Sequence, residues 1–556
     1  MPRSGSDILL EALADEGVRH VFGNPGTTEL PLVDALADRS EPQYVLALQE
    51  ATAVAMADGY ARVTGRPSFV NLHTLAGLAN GLGNLANAAA AGTPLVVTAG
   101  QQDRRHLIAE PLLSGDLVGL ARPVAKWAHE VRTLGELGVA LRRAFRLAAA
   151  PPTGPVFLSL PMDVLREVGA EPLPPRSRVD DSVLPASLPT LADLLASARA
   201  PGLVVGNELA WADGLAAAAA LAELLGAPVH GQPLSACCVF PSAHPLWRGP
   251  LPFDAAGINA ALAVYDRVLL LGADAFLVNP YTPAAAVPAG VELLQVHPDP
   301  AQLGRTHSVR FGLVGDPARA AVELARLLAG RADDERRRRV LNEGEAWRSE
   351  RIAGLAEQVA RQREARPLGP AAAVQAVVSR LRPETVLVDE AITASPYVRA
   401  FHRGGDRAGY LWCGAGALGW GVPAALGAKL AAHERPVVCL VGDGSLMYSP
   451  QALWTAARHR LNVVTVVLDN REYRILKRGL DQLAGPAAAS RRYLGTELAD
   501  PAVDFCTLAA SLGVVGRSIE DPAELERAVD EALAADEPRL LHVPISGHTP
   551  AARALA

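Results

Sequence analysis

The run Val437-Val438-Cys439-Leu440-Val441 leads into Gly442-Asp443-Gly444-Ser445, and the 24 residues from Ser445 to Leu468 separate Gly444 from Asp469-Asn470. Val437 to Val441 and Val463 to Leu468 are apolar, β-branched-rich runs of the kind that form buried strands. Glycines at the end of such a strand let backbone N–H groups approach phosphate oxygens, and the next helix N-terminus adds a favourable dipole. Ligand sites in parallel sheets lie at the carboxyl ends of strands. Asp443 and Asn470 stand at two such ends, so a carboxylate and an amide oxygen could converge on one hard cation. Magnesium accepts these ligands together with carbonyl and phosphate oxygens in octahedral geometry. Gly-Asp-Gly alone is also an ordinary turn; the joint pattern with Asp469-Asn470 makes it informative.

Three further residues carry chemistry. Glu50 follows the strand Tyr44 to Leu48 and opens the helix Glu50 to Arg62, a position that the helix dipole alone would favour for glutamate. His73 follows a strand ending in Asn71-Leu72; a lone histidine is more often structural than catalytic. Thr27 and Thr28 precede a helical stretch, where a hydroxyl is a natural N-cap.

The elements that must position these residues alternate. Val18 to Phe22, Tyr44 to Leu48, Ser68 to Leu72 and Leu95 to Thr98 read as strands, and Ser6 to Ala14, Glu50 to Arg62 and Gly77 to Ala91 as helices. Alternation of this kind implies βαβ units and a parallel sheet covered on both faces. Glu171 to Pro189, with Pro172, Pro174, Pro175, Pro185 and Pro189, reads as a linker. A second α/β segment carries strands Gly202 to Val205, Arg267 to Leu271 and Leu293 to His297 and ends near Gly330. Ala332 to Arg366 reads as a long charged helix. A third segment carries strands Thr385 to Val388, Pro436 to Val441, Val463 to Leu468 and Leu540 to Val543. The expectation is α/β with three doubly wound parallel-sheet domains at 1–170, 190–330 and 368–548.

Composition narrows the function classes. The chain has 556 residues, half of them hydrophobic and 20% charged, with a net charge of −7. That is a globular balance. No concentrated basic patch points to nucleic acid, and Arg336 to Arg339, preceded by Asp333, Asp334 and Glu335, reads as a solvated helix face. No apolar run reaches the ~18 residues of a membrane helix. Met1 to Gly17 lacks the basic start and apolar stretch of a signal peptide. Five cysteines without metal-type spacing predict reduced thiols in a cytoplasm and no zinc site, with Cys237 and Cys238 as small buried apolar residues. No Gly-x-Gly-x-x-Gly opens a helix after a strand, which disfavours a nicotinamide dehydrogenase.

The glycine turn and Asp-Asn pair resemble the thiamin-diphosphate motif, GDG followed after 24 to 27 residues by NN. Asp469 departs from the first Asn of that pair, while Asn470 matches the metal-ligating second one. Tyr44 to Ala51, Val21-Phe22-Gly23-Asn24-Pro25-Gly26, Asn71-Leu72-His73, Val97 to Gln102 and Leu411 to Gly419 resemble benzoylformate decarboxylases. The resemblance runs over nearly the whole chain. It implies a thiamin-diphosphate and Mg²⁺ enzyme that acts on a small 2-oxo acid. Its first domain would bind the pyrimidine and its third the diphosphate, at the interface of a homodimer within a homotetramer.

Residue by residue, the resemblance implies Glu50 as the activating carboxylate, and Asp443, Asn470 and the main-chain carbonyl of Glu472 as metal ligands. It implies Gly416 as the carbonyl facing the aminopyrimidine and Leu418 as the apolar wedge under the bent cofactor. Thr393, Gly442, Gly444, Ser445, Tyr448 and Ile475 would line the cofactor. Outside that context, Leu418 reads as core and Tyr448 as packed on the sheet. His73 matches one of two active-site histidines, and Thr27 a substrate-binding serine. The second histidine falls on Asn279, which cannot transfer a proton at neutral pH. Ile475 stands where a small residue is usual, and Gly479 where an aromatic one is. The reaction implied is non-oxidative decarboxylation to an aldehyde through a cofactor-bound enamine. The rival is a carboligase of the acetolactate synthase or benzaldehyde lyase type, and a further rival is a cofactor-binding but silent regulatory protein.

Overall fold

A computed structural model describes residues 2–274 and 276–547. It contains three six-stranded sheets, parallel throughout, each wrapped by helices. The expected three doubly wound sheets are therefore present. The expected limit at residue 548 lies outside the described residues.

In the first sheet the strand order in space is Gln43–Leu46, His20–Gly23, Ser68–Leu72, Leu95–Gln101, Val156–Pro161 and Ala128–Glu130. The third sheet repeats this winding with Tyr410–Trp412, Val386–Glu390, Val437–Gly442, Val463–Asp469, Arg539–Pro544 and Val515–Ser518. The middle sheet differs: Trp247–Pro250, Val229–Gly231, Pro201–Val205, Arg267–Leu271, Glu292–His297 and Phe311–Val314 follow the order of dinucleotide-binding folds. Its first strand-to-helix turn is Gly206-Asn207-Glu208, with no run of phosphate-cradling glycines.

The central strands are apolar because both faces are covered. Every residue of Ser68–Leu72, Leu95–Gln101 and Val463–Asp469 is buried. Several short strands escaped the sequence reading, among them Ala128–Glu130, Trp247–Pro250 and Tyr410–Trp412. Each is an edge strand of three or four residues, too short for a periodic signal. The long helix spans Asp334–Arg363. Its arginine run is only partly solvated: Arg336 donates to the Ala198 carbonyl and Arg337 to that of Glu223, while Arg338 and Arg339 are exposed. Cys237 and Cys238 are buried, as expected.

A helix seam joins the first and third sheets. Glu50–Thr64 crosses Gly421–Ala431 so closely that a Cβ on Gly59 would lie 2.0 Å from the Ala424 carbonyl oxygen. Arg62, 1% exposed, sits at the seam. Its guanidinium forks onto Asp58 at 2.7 and 2.8 Å and donates to the carbonyls of Ala236 and Trp412. The Trp420 indole N–H completes the Asp58 carboxylate at 2.6 Å. A buried ion pair needs this degree of satisfaction to be tolerated.

Candidate functional site

The register of the third sheet brings the expected metal residues together. Gly442 pairs with Leu468, so Asp443 and Asn470 leave adjacent strands at the same edge. Asp443 heads a single helical turn, Asp443–Leu446, that contains Gly444 and the buried Ser445. Its Oδ2 is buried and has no hydrogen-bond partner among the described residues. Burial first, and then the neighbouring Asp469 carboxyl, push the Asp443 carboxyl well up. Asn470 Oδ1 accepts from the Glu472 N–H at 3.1 Å, across Arg471, whose φ of 56° turns the chain sharply. The Glu472 carbonyl accepts from Arg474 N–H at 3.0 Å and keeps one lone pair.

Asp469, where the family motif has Asn, is held from behind. Its Oδ2 accepts from His542 Nε2 at 2.9 Å and its Oδ1 from Arg471 N–H at 2.9 Å. Burial opposes its ionisation, but the His542 bond, the Asp443 contact and the Arg471 bond together keep it below the ordinary carboxylate value. His542 lies 73 positions away in the chain, so no local pattern could have revealed the pair.

These residues fit a magnesium diphosphate. An orphaned buried carboxylate oxygen calls for a cation or proton. A Cβ on Gly442 would meet nothing nearer than 3.7 Å, which leaves room beside the turn. Among the described residues no three His, Cys, Asp or Glu side chains form a cation cage, so phosphate oxygens would complete the octahedron.

The other end of the candidate site is set by the helix Thr74–Ala90. Asn80 Nδ2 donates to Glu50 Oε2 at 3.0 Å, and Gly77 leaves space for that carboxylate. Asn84 donates to the Ala51 carbonyl. Asn87 grips the loop carrying Gly416 and Leu418: its Oδ1 accepts from Ala415 and Ala417 N–H at 3.0 and 3.1 Å, and its Nδ2 donates to the Ala417 carbonyl. Gly416, at a φ of 82°, takes a conformation costly for any other residue. One helix thus positions both Glu50 and the Gly416 loop, and Asn80 and Asn87 went unnoticed in the sequence. Leu418 is half-buried and Tyr448 is 57% exposed, so neither is core. Thr393 follows the left-handed Ile392 at the end of Val386–Glu390. Ile475 is 47% exposed in the helix Arg474–Leu483.

His73 is not a lone histidine. Its Nδ1 lies 2.8 Å from Glu29 Oε2 and 3.2 Å from Thr28 Oγ1. Glu29 also accepts from the N–H groups of Gly26 and Gly100. Gly26, not Thr27 or Thr28, takes the N-cap position, with no side-chain cap bond, and Glu29 instead holds the Gly26 N–H. A Glu three residues after Gly26 supplies only the reciprocal half of a capping box, the one local signal of this contact. Thr27 is exposed beside this cluster. Thr74, directly after His73, has a φ of 49°, a strained state for a β-branched residue.

Asn279 lies apart, exposed in the loop after Arg267–Leu271, with its N–H on the Phe253 carbonyl at 2.7 Å. No hydrogen bond joins it to the other candidates among the described residues.

Three family descriptions match in sequence. They are the N-terminal, central and C-terminal domains of thiamine pyrophosphate enzymes, over residues 3–113, 188–324 and 394–543. The chain belongs to the thiamine pyrophosphate enzyme family, and its cofactor is thiamin diphosphate with Mg²⁺. It is 37% identical to benzoylformate decarboxylase of Pseudomonas aeruginosa, over 96% of this chain and 97% of that one. It is 31% identical to a putative acetolactate synthase large subunit of Mycobacterium tuberculosis, over 98% and 99%. Among solved structures, 4-hydroxybenzoylformate decarboxylase of Rhodococcus jostii superposes with a TM-score of 0.86 at 30% identity, covering 98% and 99%. Benzoylformate decarboxylase of Polynucleobacter necessarius also gives 0.86, at 31% identity and 99% of both chains.

Proposed function

We propose that this enzyme decarboxylates an aryl or branched 2-oxo acid without oxidation, releasing carbon dioxide and the aldehyde. The observation that carries this reading is the buried Asp443 oxygen, without a hydrogen-bond partner among the described residues, close to Asn470 in a chain similar to benzoylformate decarboxylase over nearly its full length.

When bound, the cofactor supplies the nucleophilic carbon and the electron sink that loss of carbon dioxide requires. The protein's part is to hold and to move protons. Asp443, Asn470 and the Glu472 carbonyl hold the metal, with Gly442, Gly444, Ser445 and Thr393 around the diphosphate. Glu50 would share a hydrogen bond with the pyrimidine ring, and the Gly416 carbonyl would accept from its amino group. Leu418 and Ile475 shape the apolar walls, and Tyr448 borders the diphosphate turn. Glu29 fixes the Nδ1 proton of His73, which frees Nε2 to meet the substrate carboxylate or pass a proton. Thr27 offers a hydroxyl beside it.

A homodimer is the minimal active unit in this reading, assembled as a homotetramer. Exposed Tyr448, Ile475 and Leu476 support it, since a second protomer would cover them. Five free cysteines, four of them buried, support residence in the cytoplasm. No helix among the described residues is long and apolar enough to cross a membrane.

The second reading is carboligation to a 2-hydroxy ketone or acid. Asn279 in place of a second histidine favours it. Incubation with thiamin diphosphate, magnesium and a panel of 2-oxo acids tests both readings. Carbon dioxide with free aldehyde supports the first, a ligated product as the main one supports the second, and no turnover of any 2-oxo acid refutes both.

A further inference from the structure

Lys477 is a buried ammonium whose partners all belong to the metal loop or its support. It lies on the helix Arg474–Leu483 and is 7% exposed. Its Nζ donates to Glu472 Oε2 and, at 2.5 Å, to Glu497 Oε1, and it lies 5.6 Å from the centre of the Tyr493 ring. Glu472 and Glu497 also face each other as an antiparallel bridge. Tyr473 N–H donates to Thr496, and Leu498 N–H to Arg471, both at 2.8 Å. The loop after Asn470 is therefore laced to residues 493–498 by backbone bonds on one level and by an ion triad on another. The glycine turn rests on the same assembly, since a Cβ on Gly444 would lie 2.5 Å from the Tyr473 ring. The neighbours of Lys477 on its own helix, Ile475 and Leu476, are 47% and 52% exposed.

We infer that Lys477 is a positioning residue that locks the carbonyl of Glu472 for the metal and, through the same contact, sets the helix that carries Ile475. Metal loading and the shape of the substrate wall then form one mechanical unit. This rests on the proposed roles of Asn470 and Glu472. Removing the ammonium would leave the Glu472 and Glu497 carboxylates facing each other with Arg474, 3.6 Å from Glu472 Oε1, as the remaining counter-charge, which loosens the metal loop from residues 493–498 and frees the helix that Lys477 ties to both.

The test titrates thiamin diphosphate and Mg²⁺ into each folded variant by calorimetry and compares KM with kcat at saturating metal. Lys477→Met should lose at least about tenfold in metal affinity, the scale of damage to a metal's supporting shell. It should also raise KM for the best 2-oxo acid more than it lowers kcat. Lys477→Arg should restore most of both. Glu497→Gln, at a largely exposed partner, should show a smaller loss in the same direction, and it decides the matter if Lys477→Met does not fold. Wild-type metal affinity in Lys477→Met, or in Glu497→Gln where that variant must decide, overturns the inference. Asn470→Ala separates the two levels: if it binds metal as the wild type does, the reading of the metal site falls, and this inference with it.

Discussion

Glu29 Oε2 lies 2.8 Å from His73 Nδ1, and Glu29 is 1% exposed, so a buried carboxylate fixes the orientation and tautomer of the candidate proton-transfer group. The Glu29 hydrogen bond raises the His73 pKa above 6.5; burial opposes this, and the charges of Glu29 and Glu50 assist it. The imidazolium thus persists at higher pH than in a free histidine. The pair's stabilisation is complete below about pH 6.5 and fades as pH rises through the folded value. Glu29→Gln should move the alkaline limb of kcat/KM to lower pH and shift the His73 ring titration the same way by NMR. Superimposable titrations would remove Glu29 from this role.

Asp443→Ala removes the only charged side chain proposed to ligate magnesium. Affinity for thiamin diphosphate in the presence of Mg²⁺ should drop at least about tenfold. Calorimetric titration measures it, and an unchanged affinity would reduce the glycine turn to ordinary structure.

Glu50→Gln should retain the fold and most cofactor binding, because Asn80 can still bond the amide oxygen. The loss should fall on the rate of chemistry rather than on binding. Exchange of the thiazolium C2 proton, followed by NMR in deuterated solvent, should slow clearly. Exchange at the wild-type rate would take Glu50 out of activation.

Asn279→His offers a second ring for proton delivery. General acid assistance is worth ~10²- to 10⁴-fold, so the variant should release more aldehyde and form less 2-hydroxy ketone when excess acceptor aldehyde is present. Asn279 is exposed within a single chain, so the effect requires its loop to reach a cofactor. An unchanged product ratio in a cofactor-loaded variant refutes a role in product fate.

The strands Ser68–Leu72 and Arg267–Leu271 were readable to the residue, because Phe69, Val70 and Leu72 in one and Val268 to Leu271 in the other give the short apolar runs of strands covered on both faces. Asp443 and Asn470 were readable because each follows its own strand directly. What escaped was pairing over distance. Glu29 meets His73 across 44 positions, and Asp469 meets His542 across 73. Asn87 reaches a loop more than 300 positions away. Side chains that act on a partner brought close only by the sheet order leave no period or spacing in the sequence. Thr28, given a possible capping role, instead bonds the glutamate and histidine that form the cluster.

Three separately wound sheets invite dissection of this chain into modules, and Arg62 argues against it. Its guanidinium is shared by Asp58 on its own helix, a carbonyl at Ala236 and another at Trp412. Cutting the chain between sheets would leave Arg62 with Asp58 but strip away the carbonyls of Ala236 and Trp412 and open the buried seam to water. The sheets are repeated in their winding, yet the polypeptide is a single currency of exchange: a fragment carrying Glu50, or one carrying Asp443, would not be a smaller enzyme but an incomplete one.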